Sequence, residues 1–156
     1  MFSTRLAQAW ALLGFTAILS YAIYRLSGHF LTAWQMSFEW YHWLLLAINC
    51  VFMAYSEGYK GFQKSYSIKF ANRLKALDQK PSFIRKLLAP LFCMNYFAAS
   101  KKNMILAYIL TIAIIILVII FNQIPQPWRG ILDAGVVVGL TWGLFTTIAF
   151  GLRAIK

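Results

Sequence analysis

Four stretches of this chain, residues 6–24, 38–55, 104–121 and 131–149, are apolar at nearly every position, and the polar residues collect between them. Each approaches the roughly 20 residues that carry a helix across a hydrocarbon core of about 30 Å. The third is the purest, with the unbroken run Ile112-Ala113-Ile114-Ile115-Ile116-Leu117-Val118-Ile119-Ile120. Such a β-branched run suggests a strand in water, but in lipid only a helix satisfies its own backbone. A fifth apolar stretch, 87–99, contains Pro90 and is too short to cross, which predicts a re-entrant or interfacial piece.

The segment between the second and third spans is patterned too. Tyr55, Tyr59, Phe62 and Tyr66 recur at helical spacing, so the second span is expected to continue as a helix past the membrane surface. Ser67 then offers an N-cap for a separate short helix. In that helix Phe70, Leu74 and Leu77 form one stripe and Lys69, Arg73 and Lys80 another, the pattern of a basic amphipathic helix lying on a membrane.

Charge orients this layout. Ten of the 15 Lys and Arg fall in the central region 56–102, Arg5, Arg153 and Lys156 sit near the chain ends, and only Arg25 and Arg129 occupy the other two connections. Loops rich in Lys and Arg stay on the cytoplasmic side. The expectation is an all-α integral membrane protein with four transmembrane helices and a basic, partly helical cytoplasmic region between helices 2 and 3. The chain 1–156 then forms a single membrane domain of a cytoplasmic (inner) membrane, with both termini inside. The apolar run after Arg5 is too long for a signal peptide and lacks a small-x-small cleavage site, so it reads as an uncleaved first span.

Composition agrees: 61% of the residues are hydrophobic and 12% charged, against about a quarter charged in soluble domains. The net charge of +11 would point to nucleic acid in a soluble protein. Confined beside membrane spans, it points to anionic lipid headgroups instead, with Lys69, Arg73, Lys75, Lys80, Arg85 and Lys86 as the lipid-binding set. Cys50 and Cys93 fall in different regions and suggest neither a disulfide nor a metal spacing.

Candidate chemistry is sparse. Gly135, Gly139 and Gly143 make a doubled small-xxx-small repeat that lets another helix approach, within this bundle or on a partner, and Thr146 and Thr147 could bond across that contact. Ala7, Ala11 and Gly14 partly match it in the first span. Asn49, near the middle of the second span, is expected to bond to a neighbouring helix. Glu57 is expected at the inner end of that span, paired with Lys60 at i+3 or coordinating a proton or cation. Glu39 and His42 share a helix face, but too few carboxylates exist for a di-metal centre. A weaker arrangement adds His29 and Asp133 around one zinc, against the plainer reading of polar residues in an interfacial aromatic belt.

The catalytic motifs of hydrolases, zinc proteases and phosphate-binding loops do not occur in the sequence. The expectation is therefore a protein with no catalytic activity and no cofactor: an accessory or scaffold subunit of a larger membrane complex. Its partners would be anionic lipids and another membrane protein or a second copy of itself, without nucleic acid. A small homo-oligomeric transporter or channel, with Asn49 and Glu57 on its path, is the alternative, and a lipid-headgroup or redox enzyme comes third.

Overall fold

A computed structural model describes residues 3–79 and 82–155, so Lys80 and Lys156 lie outside the described residues. The elements in chain order are α1 (Thr4–Trp34), α2 (Trp40–Met53), a π-helical segment (Ala54–Tyr66), α3 (Ser67–Gln79), α4 (Phe83–Leu87), α5 (Ala89–Cys93), α6 (Lys101–Asn122) and α7 (Trp128–Ile155), with no strand among the described residues. Among the described residues three helices, α1, α6 and α7, are long and apolar enough to cross a membrane, as expected of a membrane protein.

The stretch 38–55 behaves differently. Its helix starts at Trp40, after Glu39 closes the end reciprocally: the Glu39 side chain accepts from the backbone of His42, and the Glu39 N–H donates to His42 Nδ1 at 3.0 Å. The 14 residues of α2 cover only about 21 Å at 1.5 Å per residue. The chain then runs on without a break through the π-helical segment into α3, forming one helical rod. Ser67 is thus an interior position of that rod, not the cap of a separate helix, and its N–H reaches back five residues to the Phe62 carbonyl. Hydrogen bonds of that span widen a helix and shorten its advance per residue, and π-helical stretches this long are rare.

α7 is the axis of the bundle, packed against α1, α2, the π-helical segment and α3. Leu12 lies against Gly151 and Ala33 against Gly130, so α1 runs antiparallel to α7 along its whole length. The rod runs parallel to α7: Asn49 meets Gly135, Glu57 meets Gly139, Phe62 meets Gly143, and Ser67 meets Thr147. The best-buried core lies at one end. There α1 (Ala7, Ala11, Leu12, Phe15, Leu19), α3 (Phe70, Leu74, Leu77) and α5 (Ala89, Phe92, Cys93) converge. The Phe70, Leu74, Leu77 stripe therefore packs inside the protein, at no more than 1% exposure, where the sequence pattern placed it on a membrane surface. An amphipathic helix buries its stripe against whatever apolar surface is nearest, and here that surface is α1 and α5.

Candidate functional site

The seam between α7 and the rod holds a line of polar contacts, among them the buried pair Ser67 and Thr147. Glycine removes the Cβ from one side of α7, and the rod fills the space. A Cβ at Gly135 would overlap the Asn49 amide, one at Gly143 would overlap the Phe62 ring, and one at Gly139 would come 3.2 Å from Glu57 Oε2. Gly135, Gly139 and Gly143 are all buried, so the chain's own rod occupies this face. Asn49 Nδ2 donates to the Ile131 carbonyl at 2.8 Å and approaches that of Leu132 at 3.3 Å. Its amide is thereby committed to helix contact. Further along, the hydroxyls of Ser67 and Thr147 share a 2.9 Å hydrogen bond and those of Ser67 and Thr146 one of 3.1 Å, while Trp142 Nε1 donates to Gln63 Oε1 at 2.9 Å.

Glu57 is the exception in this seam. Among the described residues no hydrogen bond or ion pair closes on its carboxylate. The pair expected with Lys60 does not form: the Lys60 ammonium sits 5.0 Å over the Tyr55 ring and Lys64 4.8 Å over Tyr59. The π-helical geometry explains this, because widening the turn rotates i+3 away from i and breaks the α-helical pairing rule. Facing Gly139 also places Glu57 near the middle of the apolar stretch 131–149, deeper than the edge position read from the sequence.

A second polar group closes the opposite end of the bundle. Asp133, 1% exposed, accepts from His29 Nδ1 at 2.7 Å and has Arg129 Nε at 3.7 Å. Arg129 Nη2 donates to His29 Nε2 at 3.1 Å and to Asn122 Oδ1 at 2.6 Å. The His29 carbonyl accepts from Gln126 Nε2, and Gln126 Oε1 accepts from the Gly130 N–H. These bonds tie together α1, the end of α6 and the start of α7. They also divide the four residues grouped around a zinc. His29 pairs with Asp133, whereas Glu39 pairs with His42, whose ring packs among Phe38, Tyr41 and Trp128. No cluster of three or more metal-binding side chains forms among the described residues. The sequence led to the expectation that all four lie at one face, and the helix packing separates them into two pairs.

The basic residues of the central region divide as well. Arg73 donates from Nε to the Phe92 carbonyl (3.1 Å), from Nη1 to Ala98 (2.8 Å) and from Nη2 to Phe97 (2.8 Å), with its guanidinium 3.7 Å above the Phe92 ring. Arg73 therefore holds a turn together, a role its sequence neighbours did not reveal and one that takes up the fork expected to bind headgroups. In that turn Asn95 (φ 67°) and Ala98 (φ 51°) adopt left-handed backbone, which costs a non-glycine residue on the order of 1 kcal/mol. Burial beneath this turn pushes the Cys93 thiol up to about 12, with the Arg73 charge offsetting part of the rise, and burial lowers Arg73 itself. Cys93 is thus an inert core thiol at neutral pH. Of the other basic residues expected to bind lipid, Lys75 is exposed, and Lys69, Arg85 and Lys86 are half-buried.

The cavities are shallow and apolar. One of about 390 Å³ runs along α7 between Val137 and Thr146, and one of about 530 Å³ along the rod from Ala47 in α2 to Tyr55 in the π-helical segment. Neither contains an ionisable group apart from Tyr55 at the rim of the second. Comparisons with protein families, with curated proteins and with solved structures find nothing that matches the chain.

Proposed function

We propose that the protein is a non-catalytic accessory or scaffold subunit of a larger membrane assembly. One observation carries this reading. The 22 residues of α6 include none that is buried, although it is the most apolar of the three long helices α1, α6 and α7. Tyr96 ties the first half of α6 through Thr111 and Tyr108, and Asn122 ties its far end through Arg129. A helix held away from its own bundle presents most of its circumference to lipid or to another protein's helices. The rod supplies a fourth crossing in this reading. Both termini and the basic region from α3 onward then lie toward the cytoplasmic face of an inner membrane, in keeping with the Lys and Arg bias, while residues 56–67 run beside the apolar stretch of α7. Lys69, Lys75, Arg85 and Lys86 face anionic headgroups there.

The test places a photo-crosslinking amino acid at Ile112 or Ile116 in native membranes. The expected result is an adduct with a larger protein that also copurifies in fixed ratio in mild detergent. Lipid adducts alone, with a monomeric product, end the scaffold reading.

Glu57 favours a second reading, a homo-oligomeric transporter or channel. An unpaired carboxylate within a membrane bundle is expensive and usually serves a function. In proteoliposomes that reading requires proton or monovalent-cation flux by the wild type and at least a tenfold loss in Glu57→Gln. Wild-type vesicles no leakier than empty ones remove it.

A further inference from the structure

The apolar surface at α4 and α5 has no place in the bundle. Phe83 (72% exposed), Ile84 (63%), Leu87 (55%), Leu88 (40%) and Leu91 (42%) all point outward. On the other side of α5, Ala89, Phe92 and Cys93 are buried in the core, while α4 buries none of its residues. The piece is therefore amphipathic in an unusual sense, with one apolar face inside the protein and another outside it.

Its depth can be read from its neighbours. Trp10 Nε1 donates to the Leu87 carbonyl at 3.1 Å, and Gly14 accommodates Pro90, whose Cγ would lie 2.7 Å from an added Cβ. Leu12, between these two positions of α1, touches Gly151, just past the apolar stretch 131–149 of α7 and shortly before Arg153. On the α6 side, the Tyr96 hydroxyl meets Thr111 Oγ1 at 2.6 Å and the Tyr108 hydroxyl donates to the Tyr96 carbonyl at 3.2 Å. Both partners lie inside the apolar run that begins after Lys101 and Lys102. The packing on α1 and α7 thus puts α4 and α5 near the rim where those spans end, and Tyr96, just after α5, reaches inward to the middle of α6.

The charge around this rim has one sign. Lys101 and Lys102 are exposed at the start of α6, Arg85 lies within α4, and Glu57 and Asp78 are the only acids in residues 56–102. Glu57 is in the α7 seam and Asp78 at the far end of α3.

We infer that residues 83–97 form a wedge embedded in the cytoplasmic leaflet, with Phe83, Ile84, Leu87, Leu88 and Leu91 among the acyl chains and Arg85, Lys101 and Lys102 holding anionic phospholipid headgroups. This rests on the membrane topology proposed above. It moves the acyl-chain contact from α3, whose apolar stripe is spent on the core, to α4 and α5. Apolar side chains at the acyl boundary with basic residues at headgroup level are the general chemistry of interfacial anchoring.

Nitroxide labels on the full-length Cys50→Ser protein test the depth, because Cys93 is fully buried and does not compete for the label. Labels replace Phe83, Leu88 or Leu91, with Ile116 in mid-α6 and Gln79 at the exposed end of α3 as references. The host is liposomes of zwitterionic and anionic phospholipid at 7:3. Power saturation then compares collisions with oxygen and with a water-soluble nickel chelate. Positions 83, 88 and 91 are expected to be oxygen-accessible and nickel-protected, as Ile116 is. Nickel accessibility like that of Gln79 overturns the wedge while leaving the membrane reading intact. Nickel accessibility at Ile116 itself overturns both.

Lys101→Gln with Lys102→Gln tests the headgroup contact without touching the core. At least a threefold drop in copurifying anionic lipid relative to zwitterionic lipid is expected, with the depth profile unchanged. Equal retention rejects the proposed headgroup contact.

Discussion

Replacing Arg73 by glutamine is expected to destabilise the basic end of the bundle by about 3 kcal/mol. Hydrogen bonds from a charged donor each contribute roughly 1.5–3 kcal/mol. Arg73 makes three, to Phe92, Phe97 and Ala98, but the one to Ala98 is exposed and counts least. Without the guanidinium the turn must keep Asn95 and Ala98 in left-handed backbone unaided, and α5 loses the cation stacked on Phe92. Arg73→Lys is expected to restore little, because an ammonium cannot fork to three carbonyls in a plane. Limited trypsin digestion in mild detergent gives the readout. Cleavage at Lys101 or Lys102 should accelerate at least tenfold in both variants, while α1 and α7 stay intact. Wild-type cleavage and an unchanged unfolding temperature in Arg73→Gln would show that the turn holds without it.

The second large effect concerns the seam. Gly143→Ala is expected to cost about 1–3 kcal/mol, the usual range for forcing an extra methyl into a packed interface. The new Cβ would occupy the space of the Phe62 ring. Gly28→Ala is the matched control, since nothing lies within 4 Å of a Cβ built there. That change should be neutral or stabilising by up to about 1 kcal/mol, because alanine forms helices better than glycine. Thermal unfolding followed by tryptophan fluorescence separates the two. Equal unfolding temperatures would mean that Phe62 swings away and that α7 and the rod are not closely packed at this level.

Much of this architecture is legible in the chain because the bilayer allows few solutions. Continuous apolar length and the need to satisfy every backbone group set where α1, α6 and α7 run, without reference to any neighbour. The small-residue repeat in α7 shows on which side a helix can approach, and the purity of α6 agrees with a helix that buries nothing. The stretch 38–55 was harder, because its apolar run hands over to Ser56, Glu57 and Gly58, and periodicity does not distinguish an α-helical turn from a wider one.

What fills each gap depends on packing. Whether Gly135 faces Asn49 or a stranger, whether Glu57 finds Lys60, and whether Arg73 reaches a lipid or three carbonyls depend on groups many residues away in sequence. The same holds for the Phe70, Leu74, Leu77 stripe, which reads identically whether it meets acyl chains or the side of α1. The sequence by itself determined the length, polarity and helical character of the segments, because these follow from each residue's own transfer between water and lipid. The tertiary structure decided every pairing, because a pairing is a competition among partners, and only three-dimensional arrangement says which partner is within reach.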